Sequence, residues 1–204
     1  MEQAEHVTCQ ECISAGDRGS VCKAGQHLIG GRGAVMSAFA MHLLATTPGL
    51  QRVDIHPDGE HAKRFNFSRW LERLQFFLAK QEGKNLQGGR YVSASGKEIY
   101  ISFKSGLGDV VADFGNRRIV AECKGGIINT THSGQTSRLR KGLCEAIGQS
   151  FSIPVAEGTR QFAVVPRTKT TVKLANQIWR RAKNASIEIA LIDRHGSVHE
   201  GPEF

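Results

Sequence analysis

Asp109, Glu122 and Lys124 are the residue types that hold a divalent metal and steer an attacking water, and the segment joining them turns their spacing into geometry. Two apolar runs, Val110–Ala112 and Ile119–Ala121, flank Gly115-Asn116, the pattern of a β-hairpin closed by a tight turn. Centring the turn on that pair sets Phe114 against Arg117, Val111 against Val120 and Asp109 against Glu122. Directly opposed side chains share a face of the sheet, with Cβ atoms about 4.5–5.5 Å apart. Period-2 alternation adds Lys124 to that face, beside Glu122. Opposed carboxylates repel unless a cation lies between them, and a divalent metal is the usual one. The plainer reading is a hairpin with solvated charges. Against it stand Val111 and Val120 on the same face, acids matched to each other rather than to bases, and Gly125-Gly126, where a ligand or backbone can come close. The same register pairs Asp113 with Arg118, so an ion pair at the hairpin end accounts for Asp113 without chemistry.

Around this hairpin the elements alternate. Glu98–Phe103 reads as a strand before it, and Ile127–Gly134 is a polar loop after it. Gln135–Phe151 is helical, with Leu139, Leu143, Ala146, Ile147 and Phe151 on one stripe and Cys144 turned to the packed side. Gln161–Val165 is a buried strand, Thr170–Lys183 a basic amphipathic helix and Ile187–Ile192 a last strand. Upstream, Ala34–Thr46 is an apolar helix stopped before Pro48-Gly49, and Arg52–His56 a short strand turning at Pro57-Asp58-Gly59. Phe67–Lys80 reads as an amphipathic helix capped by Ser68, with Trp70, Leu71, Leu74, Phe77 and Leu78 inward. Residues 82–97 form a Gly-rich basic loop. Gly30–Gly33 lacks the preceding strand and the Gly-Lys-Ser/Thr ending of a phosphate loop, and reads as a hinge.

Asp109, twelve residues, then Glu122-Cys123-Lys124 resembles the signature of the PD-(D/E)XK nuclease superfamily, with Gly108 where the family often carries proline. The resemblance spans about residues 95–192. It implies an α/β protein with a restriction endonuclease-like mixed β-sheet, a βββαβαβ core flanked by helices, here preceded by an N-terminal helical extension. It also implies a Mg²⁺- or Mn²⁺-dependent endodeoxyribonuclease. Asp109, Glu122 and the main-chain carbonyl of Cys123 then bind the metal, and Lys124 positions the water and stabilises the phosphorane, leaving 5′-phosphate and 3′-hydroxyl ends. The helix before the first sheet strand sometimes supplies another acid in this family, and Glu72 is the one carboxylate well inside it here. Some branches place a site glutamine where Gln149 stands, followed four residues on by tyrosine, but here that position is Ile153. Gln135, His132, Arg138 and Arg140 are further substrate-binding candidates, with His132 a minority choice as general base. A helix start at Gly134–Thr136 offers N–H groups to a phosphate.

The chain of 204 residues has a net charge of +8, concentrated in runs without acids. Arg160, Arg167, Lys169, Lys173, Arg180, Arg181 and Lys183 form one run, and Arg138, Arg140 and Lys141 another. Such runs favour a polyanion. Two Trp and two Tyr give little for stacking single strands, so duplex or branched DNA is the expected partner. No apolar run approaches a membrane span and the N-terminus lacks a signal-peptide pattern, so a cytoplasmic protein with reduced cysteines is expected. Cys9 and Cys12 have chelate spacing, and Cys22 with His27 could complete a structural Zn²⁺ site; the bland alternative is a loose arm.

Three parts follow: a polar arm over 1–28 with the candidate zinc knuckle, a helical extension over 29–90, and a nuclease-like core over 91–204. A homodimer fits the cutting of both strands. The competing reading is a non-catalytic or partner-dependent DNA-binding protein on the same fold. A third is a zinc-dependent accessory protein organised around residues 6–27.

Overall fold

The structure is a computed structural model describing residues 31–57, 65–128, 132–202 and 204. Cys9, Cys12, Cys22 and His27 lie outside the described residues, as do Asp58-Gly59 of the expected turn and residues 129–131 of the polar loop.

One mixed nine-stranded sheet organises the chain. In chain order its elements are α1 (Arg32–Thr46), β1 (Arg52–Ile55), α2 (Phe67–Arg73), β2 (Phe76–Gln81), β3 (Gly89–Ser93), β4 (Glu98–Ile101), β5 (Val110–Phe114), β6 (Arg117–Cys123), α3 (Ser133–Ser150), β7 (Thr159–Pro166), α4 (Lys169–Asn184), β8 (Ile187–Ile192) and β9 (Val198–Glu200). The strands lie in the order β2-β3-β4-β1-β5-β6-β7-β8-β9. Parallel pairing joins β1 to β4, β6 to β7 and β7 to β8, and the other pairs are antiparallel.

Alternation along the central strands builds two cores. Ile119, Ala121 and Cys123 of β6, Phe162 and Val164 of β7, and Ala190 and Ile192 of β8 turn to the face covered by α1. Ala163 and Val165, with Ile187, Ile189 and Leu191, turn to the other face and meet Leu143 and Ala146 of α3 and Leu174 and Ala175 of α4. Helix α1 is buried without a break from Gly33 to Ala40, which explains why its apolar residues run nearly all round it. It begins at Arg32 with Gly31 as its N-cap, so the described part of the expected Gly30–Gly33 hinge belongs to the helix start. Gly125 lets that helix start come close: a Cβ there would lie 2.1 Å from the Arg32 backbone nitrogen.

The N-terminal half departs from expectation. Residues 29–90 are not a helical extension, because they supply β1, β2 and the start of β3, and β1 sits between β4 and β5. The helix expected over Phe67–Lys80 stops at Arg73. Gln75 takes φ +63, a left-handed value that ends the helix, and Phe76 starts a strand paired with β3. Trp70 and Leu71 are buried, but Leu74, Phe77 and Leu78 are exposed. Asn66, not Ser68, caps α2 by accepting from the Arg69 N–H at 2.9 Å. The basic loop at 82–97 contains β3.

On α3 the expected stripe holds at Leu139, Leu143 and Ala146, while Phe151 is exposed past the helix end and Cys144 faces solvent rather than the core. Among the described residues no helix is long and apolar enough to cross a membrane.

Two glycines should respond oppositely to alanine. Gly125→Ala forces a methyl into the α1 backbone and should destabilise by about 2 kcal/mol or more. Gly148→Ala, within α3 and with open space around it, should stabilise by about 0.5–1 kcal/mol. Urea unfolding monitored by circular dichroism reads both.

Candidate active site

The hairpin forms in the expected register: Phe114↔Arg117, Asp113↔Arg118, Ala112↔Ile119, Val111↔Val120 and Val110↔Ala121. Gly115 at the turn takes φ +61, a value glycine adopts freely. Asp113 and Arg118 form the forked pair expected of them, at 2.5 and 3.2 Å, exposed at the turn end.

At the other end the ladder stops one step early. The Asp109 N–H donates to the carbonyl of Ala121 rather than pairing across to Glu122, and the Asp109 carbonyl accepts from the His56 N–H. The direct Asp109–Glu122 pairing is thus replaced by a slip, and the Asp109 side chain takes over a ladder bond. Its Oδ2 accepts from the Cys123 N–H at 2.8 Å. Arg32 forks onto the same carboxylate, from Nη2 to Oδ1 at 2.6 Å and from Nε to Oδ2 at 3.2 Å. Asp109 is 5% exposed, so this buried anion is held by one guanidinium and one amide.

Glu122 is half-buried and in the opposite condition. No hydrogen-bond donor among the described residues reaches its carboxylate. Burial first, then the negative charge of Asp109, pushes its carboxyl up to about 7, against the pull of Lys124 and Arg32. The four charges therefore act on one another. Lys124 is half-buried, its N–H donates to the Val164 carbonyl at 2.9 Å, and its stem lies against α3, where a Cβ on Gly142 would stand 3.3 Å from the Lys124 Cβ.

Cys123 divides its roles. Its thiol points into the α1 core, where burial raises its pKa well above the usual thiol value. Even-numbered residues of β6 bond toward β7, as Arg118 and Lys124 do, so the Cys123 N–H and carbonyl both turn toward β5 and Asp109.

The remaining candidates separate by helix geometry. Gln135 and Arg138 precede Gly142 by seven and four residues, so they share the Lys124 face of α3, nearer its N-terminus. Arg140 lies two residues from Gly142 and turns away. Gln149 follows Gly142 by seven residues, so it too lies on that face, exposed nearer the helix's C-terminal end. His132 caps α3: its Nδ1 accepts from the Gly134 N–H at 3.2 Å, and its carbonyl takes the N–H groups of Gln135 and Thr136. The helix start therefore does not present free donors to a phosphate as expected. Glu72 is exposed, and the group that feels its charge is Tyr91.

Arg32 is the site residue that sequence reading passed over, since its partner lies 77 positions away. The one local signal was a cation set among glycines at a helix start. Among the described residues no group of three or more His, Cys, Asp or Glu side chains gathers as a metal cage. The two carboxylates and the carbonyl are hard oxygen donors, the ligand type a divalent cation such as Mg²⁺ takes.

The chain matches no family model, and neither a curated protein nor a solved structure is significantly similar to it.

The raised Glu122 pKa fixes the sign of a pH effect. A carboxyl raised by folding contributes its stability fully below the ordinary glutamate value and loses it as pH rises through about 7. In chelator-treated protein, wild type should lose about 1–3 kcal/mol relative to Glu122→Gln between about pH 4.5 and 8. Parallel denaturant titrations across that range check it, and parallel curves for the two proteins would remove the coupling.

Proposed function

We propose that this chain is a metal-dependent DNA endonuclease of the PD-(D/E)XK type on a restriction endonuclease-like fold. The observation that carries the reading is Glu122: a half-buried carboxylate with no hydrogen-bond donor among the described residues, beside a buried aspartate and two residues before a lysine. A carboxylate left in that condition is costly on its own and becomes favourable opposite a cation.

Asp109, Glu122 and the Cys123 carbonyl would hold Mg²⁺ or Mn²⁺. The bound ion supplies a more acidic water and neutralises charge gathering on the scissile phosphate. Lys124, its stem braced on Gly142, presents its ammonium to the attacking water and to the phosphate oxygens as they gain charge. Gln135 and Arg138, on the same face of α3, hold the neighbouring backbone phosphate. Arg32 shares Asp109 with the metal in this reading. Exposed Arg167, Lys169, Lys173, Arg180, Arg181 and Lys183 on and before α4 attract the duplex from a distance. A homodimer would place two such sites on opposite strands, and the setting is cytoplasmic in this reading.

A second reading is favoured by the Arg32–Asp109 fork, which already neutralises one of the two acids. In it the protein binds DNA through its basic helices and the chemistry is absent or supplied by a partner.

Supercoiled plasmid incubated with Mg²⁺ or Mn²⁺ separates the two. Wild type should nick or linearise it, chelation should abolish this, and Lys124→Ala or Glu122→Gln should lose about 10²-fold or more in rate while plasmid binding persists. Cleavage that survives both substitutions would sink the assigned site. Binding with no cleavage by wild type favours the second reading.

A further inference from the structure

A second concave feature lies away from the carboxylates. It is about 520 Å³ and opens where the hairpin turn, the C-terminal end of α1, the start of β7 and β9 come together. Arg117 begins β6 and Cys123 ends it, so roughly 20 Å of strand separates this lining arginine from the strand end beside Asp109. Its volume is in the range of small-molecule sites, about 300–1,000 Å³.

The lining has two halves. Leu43, Phe114, Ile119 and Val198 give an apolar part. Arg117 and Arg160 bring two permanent positive charges on the α1 side; Arg118 borders the cavity from β6 with its side chain on the opposite face beside Asp113, and Glu200 is the one lining carboxylate. Glu200 is already engaged, by His42 Nε2 at 3.2 Å and by Arg160 Nη2 at 3.9 Å.

Acids outside the lining hold two of these arginines. Asp113 takes the Nε and Nη2 edge of Arg118, and Glu188 takes the same edge of Arg160 at 2.7 and 2.7 Å. Arg160 also lies over the Phe162 ring, 4.9 Å from its centroid. These contacts fix both guanidinium planes and leave each Nη1 without an acceptor among the described residues. Arg117 is exposed and has no acidic partner there.

Oriented arginine forks beside an apolar wall suit a ligand that carries two negative charges at one end and an organic body at the other. We infer that this cavity is a binding site for a phosphomonoester with an apolar or aromatic body, separate from the carboxylate site.

Phenyl phosphate is the probe, titrated into the full ¹⁵N-labelled chain, with phenol, benzoate and inorganic phosphate in parallel. Phenyl phosphate should bind with a Kd below about 10 mM. Its shifts should centre on Thr47, Arg117 and Gly158. Arg117→Ala, which removes an exposed side chain with no partner, should weaken binding about fivefold or more, and Glu122→Gln should leave it unchanged. Shifts centred on α4 instead, or binding unaltered in Arg117→Ala, would overturn the site. Phenol or benzoate binding as tightly as phenyl phosphate would overturn the dianion, and inorganic phosphate binding as tightly would overturn the organic body. A nuclease that fails to cut plasmid yet binds phenyl phosphate here leaves this inference standing.

Discussion

A single buried anion ties the site to the fold. The Asp109 carboxylate, one residue before β5, joins the start of α1 through Arg32 and the end of β6 through the Cys123 N–H. Each contact depends on something small elsewhere. Gly125 lets the α1 backbone approach the strand end, and the early stop of the hairpin ladder frees the Cys123 amide for a side chain. Ion pairs this deeply buried rarely stabilise a protein more than an apolar isostere would, because desolvation offsets the attraction. Placing one at the open end of the antiparallel β5–β6 hairpin is therefore poorly explained by stability alone. It also raises the cost of a second negative charge nearby, which is the condition Glu122 is in.

That electrostatic corner sits beside a well-packed scaffold. β7 and β8 are buried on both faces, with α1 on one side and α3 and α4 on the other, so the strand end that presents Glu122 and Lys124 has little freedom. Gly142 brings α3 against the Lys124 stem, and the helix face that follows from this carries Gln135 and Arg138. The distal cavity draws on the same scaffold from its other end, where the hairpin turn rather than the strand end supplies the charges. The Asp113–Arg118 pair closes the hairpin at this end.

The hairpin was legible because its information is local. Gly115-Asn116 sets the turn, the turn sets the register, and the register sets Asp113 on Arg118. The elements from β6 to β8 were legible for a similar reason, since strand and helix periods alternate clearly there. What escaped depends on distant contacts. Phe76–Lys80 fits either period, and pairing with β3 decides for a strand that leaves Phe77 and Leu78 exposed at the sheet edge. The ladder's slip at Asp109 follows from the competing Cys123 amide and Arg32, neither of which a register count includes. Cys144 and Phe151 went the wrong way because helical phase drifts over a stripe and the stripe is narrower than the pattern suggested.

The central claim is that Asp109 and Glu122 form a cation site, and Mn²⁺ reports on it directly. Electron paramagnetic resonance of free Mn²⁺, titrated with chelator-treated protein at about pH 8, where Glu122 is mostly ionised, counts bound ion without needing activity. About one bound Mn²⁺ per chain, lost in Glu122→Gln and in Asp109→Asn while both variants stay folded, is the expected result. No bound ion, or binding that survives both substitutions, would contradict it.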